Sequence, residues 1–223
     1  MKKGRHRELC IAVCLLAAFA LWTTLVRLTD VQAIGPRESA VGFATVNKAF
    51  HDLTGVHMSL YIITDWLGLV PVIFALGFGI LGLAQWIRRK HLLRVDRDIL
   101  VLGGFYVVVM AAYLLFEVFV VNYRPVLIGG VLEASYPSSH TMIVVCIMAT
   151  AVPQVDRLWP NKQKLCAGMA IFATFIMVIT VIGRLISGVH WFTDIAGGLL
   201  LAGALVTFHR AVIQYMDEHG PSK

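Results

Sequence analysis

Residues 98–121 of the chain read DILVLGGFYVVVMAAYLLFEVFVV, an apolar run whose only charged residues are Asp98 and Glu117. A bilayer needs about 20 apolar residues for each helix that spans it, so this run is long enough to cross a membrane. The whole chain has the same character, because 58% of its 223 residues are apolar and 14% are charged, against about 45–50% and about 25% in a soluble domain. A soluble core of this size cannot hold so much apolar sequence without large exposed patches. The sequence therefore predicts an integral membrane protein and excludes a sizeable soluble domain.

Five more apolar runs lie at 9–27, 59–87, 138–153, 165–186 and 193–213. We therefore predict an all-α, polytopic protein with six transmembrane helices in a single transmembrane domain over residues 1–223. The second helix is the least well defined, because Asp65 lies within it and Pro71 introduces a kink or marks the start of its rigid part. The first run resembles a signal peptide, but it continues past the cleavage-like tripeptide at 18–20 to Val26, which indicates an uncleaved anchor.

The segment 38–57, ESAVGFATVNKAFHDLTGVH, alternates apolar and polar residues at near-helical spacing and is too polar to span a bilayer. We expect it to form an interfacial helix on the outer face of the membrane. Such a segment can serve as a lid, a lateral gate or a partner surface, and the sequence leaves these roles open.

Basic residues are distributed unevenly between the two sides of the membrane. With the N-terminus inside, 14 of the 19 Lys and Arg residues fall in inside segments: Lys2, Lys3, Arg5, Arg7, Arg88, Arg89, Lys90, Arg94, Arg97, Arg157, Lys162, Lys164, Arg210 and Lys223. Cytoplasmic loops carry this kind of excess, so we expect both chain ends in the cytoplasm and the protein in the cell membrane. Topology thus explains the net charge of +6, and no nucleic-acid partner is implied.

The four cysteines are Cys10, Cys14, Cys146 and Cys166, and all lie within or beside apolar runs. They show no Cys-x-x-Cys spacing and no loop position that suits a disulfide framework. We expect them to be packing residues.

The polar residues that topology does not explain lie in two outer connections. One runs from Asn122 to His140 between the third and fourth helices, and the other from Gly183 to Asp194 between the fifth and sixth. They bring two arginines, two histidines, a serine pair and a carboxylate to one side of the membrane. Ionisable groups at membrane depth are costly, so they indicate a functional site.

Four of these residues have the chemistry of a phosphate site. Arg124 and Arg184 carry planar donor forks that suit phosphate oxygens. Ser138 and Ser139 follow Pro137 at the start of the fourth helix, where free backbone N–H groups and the helix dipole favour an anion. Each of them alone has an ordinary explanation as an interfacial anchor or a helix cap. Together they predict a phosphate-binding site.

The two histidines fit roles in phosphoryl transfer. His190 and Asp194 are four residues apart, one helical turn, so the carboxylate can hold one imidazole nitrogen and leave the other free to attack phosphorus. His140 is then the acid that protonates the leaving oxygen. Either histidine alone is equally well explained as an interfacial residue hydrogen-bonded to backbone.

The site residues fall into three short motifs: Arg124-Pro125, Pro137-Ser138-Ser139-His140 and Arg184-x5-His190-x3-Asp194. Together they resemble the signature of the type 2 phosphatidic acid phosphatase superfamily, and the six-span layout resembles the bacterial membrane lipid phosphatases of that superfamily. The resemblance covers about residues 98–213. The third motif is its most specific part, and Arg-Pro alone is weak.

The resemblance implies a role for each matching residue. His190 is the nucleophile that forms a phosphohistidine, Asp194 is its orienting partner, and His140 is the general acid. The implied phosphate ligands are Arg124, Arg184, Ser138 and the backbone of Ser139. The resemblance implies no metal and no other cofactor.

Three positions depart from the family pattern: Glu117 replaces a lysine seven residues before the Arg-Pro arginine, Ser139 replaces a glycine, and Gly183 replaces a serine. If the third helix continues far enough, Glu117 lies two turns from Arg124 on one helical face and points toward the site. A carboxylate at this depth needs a partner, so we expect it to pair with Arg124 or Arg184. Phosphate affinity is then lower, or Glu117 receives a cationic or hydroxyl part of the head group.

The sequence therefore predicts a membrane lipid phosphatase with an outward-facing site, in which Glu117 and Tyr123 are candidate specificity residues. Its expected partner is a phosphorylated membrane lipid such as polyprenyl diphosphate, phosphatidic acid or phosphatidylglycerol phosphate. Two alternatives stay open. One is a lipid phosphotransferase that uses another acceptor in place of water, and the other is a non-catalytic lipid-binding or transport protein. Retention of both histidines, both arginines and Asp194 argues against the last.

Overall fold

The computed structural model describes residues 2–219. Lys223 and the side chains of Lys2 and Lys3, which entered the orientation argument, lie outside the described residues. The described chain forms helices and short connections: α1 (Lys2–Leu28), α2 (Ala44–Thr54), α3 (Met58–Leu67), α4 (Leu69–Arg89), α5 (Arg97–Val118), α6 (Ser139–Leu158), α7 (Gln163–Ile186) and α8 (Phe192–His219). Single 3-10 turns occur at Pro36–Glu38 and Leu92–Arg94.

Six stretches of the described chain are long and apolar enough to cross a membrane. They are α1, the pair α3 and α4 over Met58–Arg89, α5, α6, α7 and α8. Each matches one of the apolar runs found in the sequence to within a few residues at the ends or contains it. The predicted all-α fold with six transmembrane helices is therefore confirmed.

Helix bounds differ from the prediction at several places, and α1 and α8 extend beyond their predicted runs, to Lys2 and His219. The second span is interrupted at Gly68, and Pro71 is the third residue of α4. Of its two predicted roles, Pro71 therefore has the one at the start of the second part of the span, where a missing N–H costs no bond within the helix. The fourth span continues through Pro153 to Leu158, where polar residues end the hydropathy signal but not the helix. The third span ends at Val118, three residues earlier than expected, which changes the surroundings of Glu117.

α6 and α8 are the inner helices of the bundle. Half or more of the residues in their apolar windows are buried, 56% and 50%, against 11–22% in the other spans. One apolar core lies between α6 and helices α4, α5 and α7, and a second lies between α6, α8, α1 and α5. Cys146 is fully buried in the second core. Cys10 and Cys14 are exposed on α1, so the expectation that all cysteines pack inside was wrong for these two.

α1 packs along α8 over most of its length. Near its C-terminal end, the Trp22 indole Nε1 donates to the Thr193 carbonyl at 3.2 Å, and the Thr23 and Tyr136 hydroxyls lie 2.7 Å apart. At the other end, Arg5 pairs with Glu218 at 2.5 Å. The first span is therefore an integral part of the bundle that carries α8.

A helix does form within the segment 38–57, and α2 packs against the start of α8. Asn47, fully buried on α2, donates from Nδ2 to the Gly42 carbonyl at 2.8 Å and to Thr193 Oγ1 at 2.9 Å. Its Oδ1 accepts from the Thr193 N–H at 3.2 Å. This N–H lies in the first turn of α8, where no intrahelical acceptor exists. Asn47 therefore satisfies the N-terminus of the helix that carries Asp194.

We predict that Asn47→Ala lowers the free energy of unfolding by about 2–4 kcal/mol, because it leaves the Thr193 N–H and the Gly42 carbonyl buried without partners. Unfolding by sodium dodecyl sulfate in mixed micelles measures this loss. Lys48→Ala is the matched control, since Lys48 is an exposed neighbour whose only described ion pair is to Asp52, one turn along the helix. That change should cost about 0.5 kcal/mol or less, and equal losses in the two variants would contradict the prediction.

Candidate active site

The connection between α5 and α6 forms a two-stranded ribbon that carries Arg124 and Ser135 into the protein. The Arg124 N–H donates to the Glu133 carbonyl at 3.1 Å, and the Ser135 N–H donates to the Asn122 carbonyl at 2.9 Å. A tight turn with Gly129 and Gly130 at positive φ closes the ribbon. Arg124 and Ser135 are both buried, so each points inward from the ribbon toward the start of α8.

The start of α6 is joined to the start of α8. Ser138 caps α6, with its Oγ accepting from the Thr141 N–H at 3.5 Å. Its own N–H donates to the Asp194 carbonyl at 2.9 Å. This N–H is therefore already used within the fold, while Ser139 and His140 occupy the first turn of the helix. A helix does begin here as predicted, and Ser139 and His140, both half-buried, are its first two residues.

The turn between α7 and α8 is held by close backbone packing. Gly188 has a φ of 69°, and a Cβ there would lie 2.1 Å from the Gly55 carbonyl oxygen, so only glycine fits this conformation and this contact. The His57 N–H donates to the Ser187 carbonyl at 2.9 Å. The turn that precedes and positions His190 is thus fixed against the start of α3.

Ser135 lies between His190 and Asp194. His190 Nδ1 is 3.7 Å from Asp194 Oδ2, too far for a hydrogen bond, and it is 3.2 Å from Ser135 Oγ. The Ser135 hydroxyl donates to Asp194 Oδ2, so its oxygen accepts from the protonated Nδ1. The expected direct bond from Asp194 to His190 is therefore wrong, and a serine hydroxyl connects the two.

Asp194 is fully buried, and its carboxylate is held by two further hydrogen bonds. Oδ2 also accepts from the Trp191 N–H at 2.9 Å, and Oδ1 accepts from Asn122 Nδ2 at 3.4 Å. The Trp191 indole in turn donates to the Tyr123 carbonyl at 2.8 Å. Tyr123, a candidate specificity residue, thus contributes through its backbone.

The free nitrogen of His190 faces Arg124. Arg124 Nη1 donates to His190 Nε2 at 3.1 Å, and Arg124 Nε lies 3.0 Å from Glu133 Oε2. Burial, followed by the positive charges of Arg124 and Arg184, holds the pKa of His190 well below its usual 6.5. At neutral pH the ring is therefore uncharged, with its proton on Nδ1 and a lone pair on Nε2.

The second half of the site is built on α3, α6 and α7. Arg184 is fully buried, and its Nη2 lies 2.9 Å from Asp65 Oδ1. His140 Nε2 is 3.1 Å from the same carboxylate oxygen. The Arg184 guanidinium also stacks over the Tyr61 ring at 4.9 Å. One oxygen of Asp65 therefore bridges the arginine and the histidine that the sequence assigns to phosphate binding and proton donation.

Buried donors at this point lack partners among residues 2–219. They are Nε and Nη1 of Arg184 and Nδ1 of His140. Leaving a charged donor buried without an acceptor is costly. Phosphate oxygens bound beside Arg184 are acceptors of the right charge and geometry to satisfy the guanidinium.

Glu117 does not take the position expected of it. α5 ends at Val118, so residues 117 and 124 do not share a helical face, and Glu117 is exposed. Among the described residues it pairs with neither arginine. Its side chain borders a small space that Ser135 and Ser139 also line. The expectation that Glu117 neutralises the site was wrong, because Glu133 and Asp65 do so.

Four site residues were not singled out from the sequence: Asp65, Asn122, Glu133 and Ser135. Asp65 had a usable signal, because an ionisable residue inside an apolar span is a site candidate by default. The other three lie in the ribbon, where no helical or strand period indicates which side chains turn inward. Within residues 2–219, no cluster of three or more His, Cys, Asp or Glu side chains is arranged to hold a metal ion.

Comparison with known proteins agrees with this geometry. Residues 103–217 match the PAP2 superfamily, and this range includes all three motifs. The fold is similar to the crystal structure of the first transmembrane PAP2 type phosphatidylglycerolphosphate phosphatase from Bacillus subtilis, with a TM-score of 0.66 and 18% identity over 92% of this chain and 97% of that one. None of the curated protein sequences matches the chain significantly. Because the family match takes in more than half of its residues, this chain belongs to the PAP2 superfamily.

Proposed function

We propose that this protein is a membrane lipid phosphatase that hydrolyses a phosphate monoester or diphosphate of a lipid through a phosphohistidine on His190. One observation carries the proposal. His190 is buried, its Nδ1 is tied through Ser135 to Asp194, and its Nε2 is turned toward Arg124. A histidine with one nitrogen anchored and the other presented to a cation is arranged to attack an anionic phosphoryl group.

In the first step, the substrate phosphate binds between Arg124 and Arg184. The Arg124 guanidinium then donates to the phosphate and no longer to His190 Nε2. Nε2 then attacks phosphorus, and the bond from phosphorus to the leaving oxygen breaks. His140 gives its proton to that oxygen, which leaves as a lipid alcohol or a lipid phosphate. The positive charge that develops on the His190 ring is stabilised through Ser135 by the buried Asp194 carboxylate.

In the second step, water attacks the phosphohistidine. His140, now neutral, accepts a proton from the water, and the P–N bond breaks to release inorganic phosphate. His190 and His140 return to their starting states. No proton or electron is left over, and no cofactor takes part in the two steps.

A groove between α3 and α7 suits the lipid tail. Its volume is about 780 Å³, its lining is apolar, and it runs along α7 from Ala170 to Gly183 and Ile186, with Leu60 on the α3 side. The lining of the groove therefore includes Gly183, the residue that precedes Arg184 in the sequence. A tail in this groove keeps the head group at the phosphate site, which fits polyprenyl diphosphate, phosphatidic acid and phosphatidylglycerol phosphate.

The proposal also includes the orientation of the protein in the membrane. The excess of Lys and Arg on the side opposite the site supports a cell-membrane protein with cytoplasmic termini and an outward-facing active site. The case for phosphotransfer rested on Glu117 in the pocket. Since Glu117 is exposed and pairs with neither arginine, water is the preferred acceptor.

We predict that His190→Ala abolishes phosphate release from lipid phosphates in detergent micelles without added metal, because the nucleophile is gone. The assay is colorimetric phosphate release, with product analysis to separate hydrolysis from transfer to another acceptor. His57→Ala is the control, since His57 is an exposed histidine on the same side, and it should keep wild-type activity. Undiminished release by His190→Ala would remove the proposed function.

We predict that Ser135→Ala, which removes the hydroxyl between His190 and Asp194, lowers kcat about 10–100-fold. Ser135→Ala leaves the 3.7 Å gap between His190 and Asp194 unbridged and removes a hydrogen bond to a charged group, which is worth about 1.5–3 kcal/mol. Because Ser135 contacts His190 and Asp194 rather than the phosphate, KM should change little. Steady-state kinetics measures both constants, and an unchanged kcat would show that the bridge has no part in the reaction.

The protonation state of His190 gives a test that does not depend on turnover. At pH 6.5 the ring should be neutral with its proton on Nδ1, because burial and the two arginines lower its pKa. Nitrogen-15 NMR of histidine-labelled protein in micelles reports this state, and Arg124→Gln should raise the pKa by removing a positive charge. Since the unfolded chain takes up a proton here below pH 6.5 and the native protein does not, stability also falls as the pH drops below that value. A half-protonated ring at pH 6.5 in the wild type would contradict the prediction.

A further inference from the structure

Asp65 occupies the contacts that the reaction needs for substrate. Its Oδ1 lies 2.9 Å from Arg184 Nη2 and 3.1 Å from His140 Nε2. An arginine donor and an acid donor thus converge on one anionic oxygen, which is the arrangement expected around a phosphate oxygen next to the leaving group. The Arg184 side chain is 0% exposed and the Asp65 side chain is 50% exposed. The carboxylate therefore reaches a buried cation from the open side of the site.

α3 is docked on the site by two close approaches at glycines. A Cβ at Gly183 would lie 2.5 Å from Thr64 Cγ2, and a Cβ at Gly68 would lie 3.2 Å from His140 Cδ2. Glycine at both positions lets α3 come close enough for the carboxylate to reach His140 and Arg184. The departure from the family serine at 183 is therefore tied to the presence of Asp65, one residue after Thr64.

Both arginines of the site are already paired with carboxylates without a ligand. Arg124 is paired with Glu133 and Arg184 with Asp65, and Asp194 adds one further negative charge. A phosphate dianion that enters must replace one of the paired carboxylates or meet its repulsion. Asp65 is placed to give way, since its side chain is half exposed and it lies between the open side of the site and the fully buried Arg184.

On the basis of the function proposed above, we infer that Asp65 is a specificity-determining residue that discriminates membrane-anchored phosphate from free phosphate. A lipid substrate brings the binding energy of its tail, in addition to that of its phosphate, to displace the carboxylate. Inorganic phosphate and soluble phosphate esters bring only their charge. Asp65 therefore weakens the binding of every phosphate at Arg184 by a similar factor, and only a lipid, whose tail adds its own binding energy, still binds tightly.

The experiment compares two substrates that share a head group, phosphatidic acid in micelles and glycerol 3-phosphate in solution, and adds the inhibition constant of inorganic phosphate. Asp65→Asn keeps the size of the side chain and removes its charge. We expect the inhibition constant to fall about tenfold and kcat/KM for glycerol 3-phosphate to rise about tenfold, while kcat for saturating phosphatidic acid stays as in the wild type. Asp52→Asn, which removes an exposed carboxylate on α2, should leave all three values unchanged.

The opposite result has a clear meaning. If Asp65 only positions or charges His140, Asp65→Asn lowers kcat for both substrates and leaves the phosphate inhibition constant as in the wild type. That outcome overturns the inference. An inhibition constant that falls equally in Asp52→Asn also overturns it, because the effect is then one of net charge and not of this contact.

A second set of variants tests the docking of α3. Gly183→Ala places a Cβ against Thr64 Cγ2 and should move Asp65 away from Arg184. The inhibition constant of inorganic phosphate for this variant should therefore fall as it does for Asp65→Asn. Thr64→Ala removes that methyl group, and the Thr64 Cβ is 3.9 Å from the added atom, so Thr64→Ala with Gly183→Ala should restore the wild-type constant. A wild-type constant in Gly183→Ala alone would overturn the link between Gly183 and Asp65.

Calorimetric titration with inorganic phosphate separates this inference from the proposed function. If the wild type releases no phosphate from any lipid, the proposed function fails. The inference then stands if Asp65→Asn binds inorganic phosphate about tenfold more tightly than the wild type. The inference about Asp65 is contradicted if the wild type and Asp65→Asn bind phosphate equally or if neither binds it.

Discussion

The buried Asp194 carboxylate is the constraint on which the rest of the site depends. A charge in the interior of a helical bundle is tolerated only if it is hydrogen-bonded from several sides. Asp194 meets this condition with three donors, Ser135 and Asn122 on the ribbon and Trp191 on the turn before α8. Its backbone carbonyl also accepts from Ser138 at the start of α6. The group proposed to orient the nucleophile therefore also joins the ribbon, α6 and α8, so the candidate site and this part of the fold are specified by the same contacts.

The sequence was informative where a regular period or a long composition bias exists. All six spans follow from apolar runs, and the four-residue spacing of His190 and Asp194 correctly placed both beside the start of the last helix. It failed where the chain leaves helical geometry. Glu117 was placed in the site by extending α5 past Val118, and the ribbon that follows α5 turns Glu133 toward Arg124 instead. Asp65 and Arg184 are 119 residues apart in sequence, and no local pattern specifies a pairing of that kind.

The glycine at residue 183 and the close approach of α3 belong together. Thr64 fills the space that a Cβ at residue 183 would need, and the neighbouring Asp65 carboxylate pairs with Arg184. The close approach therefore makes the site less positive. Glu117 has no such effect, since it is exposed and pairs with neither arginine among the described residues.

Two conditions apply to a site with two buried arginines, one without substrate and one with substrate. Without substrate, a guanidinium as fully buried as Arg184 requires an anion, because a buried unpaired charge costs several kcal/mol. With substrate, the same guanidinium has to be available to phosphate. Under the role proposed for Asp65, a partly exposed carboxylate on a short helix meets both needs, since it stabilises the empty site and exchanges for another anion. The free energy of substrate binding would then be set by the difference between phosphate and carboxylate at Arg184, to which a lipid tail adds. In that case the bilayer, and not the charge of the site alone, would be the source of affinity for a phosphorylated lipid.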